Sequence, residues 1–404
     1  MSGVLAGIRV IEVAQFVFVP VGAGVLAEWG ADVVKIEHPV RGDAYRGLRR
    51  TADRPTGDRV NYAWEHANRG KRSLGLDLAN AEGRALLDRL LADADVLITN
   101  LLPASRARLR LEAETVLRDH PHLVYARGTG LGERGDERDR GGFDHATFWA
   151  RSGAQHGATI EDAARPAPMP SGAFGDGTAG LVLAGGIAAA LLARERTGRG
   201  TTVDLSLLGL GMWSMASAIS GAMDAGAPSP RMPRAPRFNP LAGTYRTADG
   251  RWIALGLLQG FHQWPAFARA VGRADWLDDP RFSSDEAYEA NGEALIAELD
   301  GLFGSDDLAT WRTRLAGLEA VWEVAQDSLE VANDPQARAN GYVAELERPS
   351  GGSFRLVGSP VQFGETPSRP TPAPEAGQHT EELLLELGLD WDEITRLKNG
   401  GAIN

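Results

Sequence analysis

Apolar and polar positions alternate along the first hundred residues with two different periods. IRVIEVA, ADVVKIEHP, KRSLGLDL and ADVLITN are runs of strand length, while VGAGVLAEWG and AEGRALLDRLLADA carry apolar residues at helical spacing. Pro20 is placed to open the first helix, Gly30 to close it, and Pro39 cuts the second strand short. Strands separated by helices pair in parallel through right-handed crossovers, so the pattern predicts an α/β domain built on a doubly wound parallel sheet. LVYARGTG continues the sheet. FDHATFWARSGA resumes as a helix, and another apolar helix is predicted from Ala179 to about Arg196, ended by TGRG.

Beyond Asp224 the period is lost in DAGAPSPRMPRAPRFNP, a proline- and arginine-rich linker. GTYRTADGRWIALGL then reads as a β-hairpin turning at Asp249-Gly250, with helices following to about residue 320. The boundaries expected are a large domain over 1–225, a small α+β domain over 226–325 and a C-terminal segment over 326–404. The last block holds SFRLVGSPVQF and one final helix, EELLLELGLDWDEITRLKN, set off by TPSRPTPAPEA.

Composition narrows the chemistry. A formal net charge of -12 argues against a general nucleic-acid binder, so an anionic ligand must be met by locally placed cations. The absence of cysteine excludes disulfides, thiolate metal sites and a cysteine nucleophile, and fits a reducing, cytoplasmic setting. Eight histidines show no HExxH spacing, so no metal site is expected. The start, MSGVLAGIRVIEV, has no signal-peptide pattern, and GLVLAGGIAAALLA is shorter than the roughly 18 residues that suggest a membrane span. No membrane partner is expected.

Two stretches invite a functional reading. GAGVLA, residues 22–27, matches GxGxxA, with Glu37 ending the next strand. In a dinucleotide fingerprint, however, the glycines form the turn directly after the strand; here AQFVFVPV intervenes, which favours glycines used for close helix packing. SGAFGDGTAG sets Asp176 among glycines at the start of an apolar helix. Aspartate is a favoured helix cap, and the same carboxylate is a competent nucleophile: its reference pKa near 3.9 leaves it ionised at neutral pH, and Gly175 and Gly177 leave room for an electrophile.

LAGIRVIEVAQFVFVPVGAGVLAEWGADVVKIEHPVRGD resembles the opening of the class III CoA-transferases, the family of formyl-CoA transferase, carnitine CoA-transferase and α-methylacyl-CoA racemase. The likeness recurs in order through NRGKRSLGLDL, ADVLITNLLPASRARL, SGAFGDGTAG, TGRGTTVDLSL, NPLAGTYRTADGRWIALG, DPQARANGYV and HTEELLLELGLDWDEITRL, and so spans nearly the whole chain. It implies a large Rossmann-like domain built from both termini, a smaller central domain, and a homodimer whose chains interlock. It also implies a cofactor-free enzyme whose substrates are an acyl-CoA and a carboxylic acid, with Asp176 as the catalytic nucleophile.

The same resemblance places the CoA-binding side of the site at Val17, His38, Leu76, Asn100, Leu101, Arg108, Asp144 and His145. Val17 stands where some members have a glutamine, with Gln15 two positions earlier, so an oxyanion contact there falls to backbone amide. Without the family match, Arg108 would be a solvated helix arginine like Arg106 and Arg110. Lys71 and Arg72 are candidates for further positive potential, and GLLQG, 256–260, matches the region of a glycine-rich lid. The racemase branch resembles GHD where this chain reads GFD, and a phenyl ring can be neither acid nor base. His145 remains as the partner for a racemase-type alternative, or as a core histidine. A non-catalytic acyl-CoA-binding protein, with Asp176 only capping its helix, is the third expectation.

Overall fold

The computed structural model describes residues 3–48, 50–51, 54–55, 60–160, 163–231, 233, 235–348 and 351–404. Met232 and Arg234 of the expected linker lie outside them. The chain divides into two units: residues 1–155, 168–227 and 335–404 form the first, and 156–167 with 228–334 the second.

The first unit is organised by a six-stranded parallel sheet: β1 (Arg9–Val13), β2 (Asp32–Glu37), β3 (Arg72–Gly75), β4 (Val96–Thr99), β5 (Val124–Thr129) and β6 (Thr202–Ser206), in the spatial order β3-β2-β1-β4-β5-β6. That is the order of a doubly wound dinucleotide-type sheet. Successive strand residues face opposite sides. Ile11, Val13, Val34 and Ile36 enter a core that α2 (Ala81–Ala92) covers with Leu86, Leu87, Leu90 and Leu91. The chain's end completes this face through Leu383, Leu384, Ile394, Leu397 and Ile403. Leu76 bridges to Ile403, and Gly75 donates its amide to Thr380 Oγ1 at 3.0 Å.

The other face carries α1 (Phe18–Glu28), buried along most of its length, and α4 (Phe174–Thr197) lying against it; α3 is the short Pro103–Leu109 helix after β4. Glycines set how closely α1 and α4 approach. A Cβ at Gly22 would stand 3.1 Å from the Gly180 carbonyl, and one at Gly180 would be 2.7 Å from Val21 and 2.8 Å from the Gly22 nitrogen. The glycines of GAGVLA therefore serve helix packing, as their position inside a helix suggested. α4 is long and apolar enough to cross a membrane by composition. It is a partly buried core helix, with Ala179, Gly180, Leu183, Ala184 and Ile187 inside the unit.

Local structure departs from sequence expectation at four places. α4 starts five residues before Ala179, which puts Asp176 inside its first turn and not at the cap. The FDHATFWARSGA helix is a π-helix over His145–Arg151. The final helix is two, Thr380–Glu386 and Trp391–Asn399, broken at Gly388 with φ +83° and restarted by a capping box at Asp390. β6 is an edge strand that the sequence reading leaves unassigned, although Val203 and Leu205 alternate with polar residues along it.

The second unit holds the expected hairpin, Thr244–Arg246 with Trp252–Leu255 and Gly250 at φ +81°, joined by a third strand, Trp322–Val324. Its helices close on an aromatic core in which Trp264 stacks on Trp276 at 5.5 Å. GLLQG, 256–260, lies in this unit.

Gly180→Ala is expected to destabilise the first unit by about 1–3 kcal/mol through overpacking against backbone. Gly185→Ala, on the same helix with nothing within 4 Å of the added carbon, should be neutral or slightly stabilising; chemical denaturation of both variants checks the contrast.

Candidate active site

Ligand crevices in doubly wound sheets open where the strand order reverses, beyond the carboxyl ends of the strands. Here that point lies between β1 and β4. Gln15 and Asn100, just past those two ends, bridge it reciprocally: the Gln15 amide donates to Asn100 Oδ1 at 3.0 Å, and Asn100 Nδ2 donates to the Gln15 carbonyl at 2.6 Å. Two cavities flank the bridge and share Gln15, Leu101 and Ser105.

The first, of about 290 Å³, is lined by Asp176 together with Phe16, Val17, Phe18, Phe143 and Leu207 among others. Asp176 is held at its wall by an unusual helix start. Ala173 takes the cap position with φ +62°, and its side chain offers no hydrogen bond. The capping acceptor comes from 31 residues upstream: Asp144, buried, accepts the Gly175 amide on both oxygens at 3.2 Å, and the Asp176 amide also contributes to it. A Cβ at Gly175 would stand 2.5 Å from Asp144 Oδ1 and 2.3 Å from the Phe148 ring. Gly175 therefore makes room for the cap and for Phe148, not for an incoming electrophile.

With Asp144 as cap, the Asp176 carboxylate has no hydrogen-bond partner among the described residues. Burial, and then the Asp144 carboxyl nearby, push it up to about 7. Asp176 is thus not fully ionised at neutral pH, which corrects the expectation drawn from its reference value. Burial, then Asp176 and Asp43, push the neighbouring Tyr45 hydroxyl up to about 12. The N-terminus of α1 lines the same cavity through Val17 and Phe18. The amides of Val17 and Phe18 find no acceptor among the described residues, and Val17 has no side-chain cap.

The second cavity, about 430 Å³, brings together His38, Leu76, Leu101 and Arg108. The His38 ring is fixed by its own loop, since Nδ1 accepts the amides of Val40 and Arg41 at 3.1 and 3.3 Å. Arg108 is exposed and has no acidic partner among the described residues. Arg41, which sequence reading passed over, lines the same cavity and is likewise exposed and unpaired among them. Two free guanidiniums lining one cavity of an acidic protein suit phosphate oxygens.

Other expected residues stand elsewhere. Asp144 and His145 line neither cavity: Asp144 is the helix cap, and His145 is exposed, so it is not a core histidine. Arg106 is not solvated; it is buried and grips both Glu133 oxygens at 2.8 and 2.7 Å. Arg72 is taken up by Asp32, Glu382 and Glu386. Lys71 is fully buried against Glu12 at 2.6 Å, in a cluster where Lys35 pairs with Glu12 at 2.7 Å and Asp43 at 2.9 Å. Burial works to raise the Glu12 carboxyl, but Lys35 and Lys71 outweigh it and hold it below the ordinary value. The cluster reaches the site through Asp43, whose other oxygen accepts the amide of Phe16 at 3.2 Å. Phe16 has φ +67°, a strained conformation for a side chain of that size. No pattern in the sequence marks Phe16, and the charged stretch GERGDERDRGG supplies Arg138 and Arg140 to the first cavity.

The model of CoA-transferase family III matches residues 5–380. The chain belongs to that family. It is 32% identical over 401 residues to an (R)-2-hydroxy-4-methylpentanoate CoA-transferase of Clostridioides difficile, covering 99% of each chain. It is 30% identical over 401 residues to a cinnamoyl-CoA:phenyllactate CoA-transferase of Clostridium sporogenes, covering 98% of this chain and 96% of the relative. A CaiB/BaiF family structure from Brucella suis superposes with a TM-score of 0.81 at 26% identity, over 96% of this chain and 100% of that one. The protein is a family III CoA-transferase, and its α/β architecture is that of the CaiB/BaiF structures.

The raised Asp176 carboxyl makes a stability prediction for this transferase. A folded pKa above the unfolded one stabilises the fold below the unfolded value, and that contribution is lost as pH rises through the folded value. Asp176→Asn should therefore raise the melting temperature over the parent, by more at pH 8 than at pH 5. Thermal unfolding at the two pH values checks the sign.

Proposed function

We propose that this CoA-transferase moves CoA from an acyl-CoA thioester to a free carboxylic acid through covalent intermediates on Asp176. What carries the proposal is one juxtaposition: a carboxylate without a hydrogen-bond partner among the described residues shares a cavity with unsatisfied amides at the N-terminus of α1. The neighbouring cavity supplies Arg41 and Arg108 for CoA phosphates and His38 and Leu76 for the nucleotide end.

The ionised Asp176 oxygen attacks the thioester carbon, and the C–S bond breaks to release CoA thiolate and leave a mixed anhydride. The thiolate returns to the Asp176 carbonyl carbon, expelling the donor acid as its carboxylate and leaving an aspartyl-CoA thioester. The acceptor carboxylate attacks that thioester, giving a new anhydride and thiolate. Attack of the thiolate on the acceptor carbonyl then yields the new acyl-CoA and restores the Asp176 carboxylate. Each tetrahedral step develops an oxyanion, and the unsatisfied Val17 and Phe18 amides lining the same cavity are the donors we assign to it. Water must be kept from both activated forms. A carboxyl poised near 7 attacks only when ionised, so adduct formation should rise with pH through that value.

A racemase would need an acid and a base on opposite faces of the α-carbon. The geometry speaks against His145 in that role, since it is exposed and does not line the Asp176 cavity. The two relatives named above carry names that refer to 2-hydroxy acids, and carboxylic acids of moderate size are the acceptors we infer here. A cytoplasmic setting, suggested by the cysteine-free composition, belongs to the same reading.

Incubation with acyl-CoA followed by intact-mass measurement should reveal a CoA adduct on Asp176, and Asp176→Ala should abolish both adduct and transfer. Transfer undiminished in that variant would end the proposal. We also propose the interlocked homodimer. Exposed apolar side chains along 207–225, Met212, Trp213 and Met223, support it. Light scattering in solution should give twice the 43.1 kDa chain mass.

A further inference from the structure

Phe16 and Phe143 form an edge-to-face pair at the wall of the Asp176 cavity, their ring centroids 5.5 Å apart and their planes at 86°. Phe143 is 65% exposed and Phe16 39%. Large rings exposed inside a cavity mark a surface made to be covered by an apolar ligand. The pair is not a loose wall. Phe16 is held at φ +67° with its amide on Asp43, which in turn is fixed by Lys35 in the buried ion cluster, and its ring also meets Tyr45 at 6.5 Å. Strain of this kind persists only where the surroundings over-determine it.

The rest of the wall is mainly apolar side chains such as Val17, Phe18 and Leu207 and glycine backbone, and its uncharged polar side chains are Gln15, Asn100, Ser105 and Thr129. The cations among the described lining residues are Arg138 and Arg140, with side chains 60% and 68% exposed. Arg140 already pairs with Glu137 at 2.6 Å, and Arg138 faces Asp139 at 3.6 Å. A carboxylate carried on the acyl tail, buried beyond the thioester while Asp176 is ionised, would need a desolvated, unpaired cation, and the described wall offers none. About 290 Å³ lies near the lower limit of small-ligand sites, roughly 300 Å³, which suits a short acyl group.

We propose that the transferred acyl group is a short apolar one bearing a ring or a branch, and that Phe16 and Phe143 select it. The proposal rests on the transfer chemistry assigned to Asp176. An aryl or branched tip seated on the two rings completes an edge-to-face cluster and covers their exposed faces, while its thioester carbon reaches the carboxylate.

The test compares CoA-adduct formation at Asp176 with 3-phenylpropanoyl-CoA, 4-methylpentanoyl-CoA, acetyl-CoA and succinyl-CoA, in the parent and in Phe143→Ala, whose exposed site leaves folding intact. The parent should favour the first two donors over succinyl-CoA. Phe143→Ala should lower kcat/KM for them by about tenfold, the scale of one aromatic contact, and leave acetyl-CoA nearly unchanged. Succinyl-CoA equal to or better than the apolar donors overturns the selection proposal. So does an equal loss on acetyl-CoA, which would put the ring against the pantetheine arm. In both cases the adduct itself keeps the transfer chemistry standing. No adduct from any donor removes both.

Discussion

The contact on which the site depends has no side chains in it. Gly22 of α1 and Gly180 of α4 let two helix backbones approach within the distance that one Cβ would occupy. Asp176 lies one turn before Gly180, so the same approach that packs the helices carries its carboxyl to the N-terminus of α1. A wider crossing would separate the carboxyl from the amides. Packing and chemistry share one geometric requirement here.

A second constraint is ionic. Glu12, Lys35, Lys71 and Asp43 are sealed inside the sheet-to-α1 layer, where replacing such a cluster by apolar groups is often neutral or stabilising. What the cluster does in this fold is fix direction: through Asp43 it determines the backbone of Phe16, and through Phe16 one wall of the cavity. Lys71 and Arg72, which the sequence offers as further positive potential, are consumed by this structural work and by acidic partners that include Glu382 and Glu386. Arg41 and Arg108 remain free among the described residues.

How much of this was legible in the sequence depends on the range of the interaction. The strands through LVYARGTG, the helix at GAGVLA and the hairpin at Asp249-Gly250 are set by local period and turn chemistry, and were readable. The cavity residues His38, Leu76 and Leu101 became readable only through family resemblance, because their convergence is a property of strand order. The start of α4 was misread for a physical reason: a helix normally announces itself with a cap at its own N-terminus, and this one has Ala173 there and borrows Asp144. Phe16 carried no signal, since a positive φ at a phenylalanine is imposed by a distant carboxylate.

That borrowed cap ties two separated stretches into one hereditary unit. Because Asp144 fits only against a residue lacking a side chain at 175, drift at either position would be felt at the neighbouring Asp176 carboxyl. Lineages of this chain should carry the two as a matched pair, or change both together.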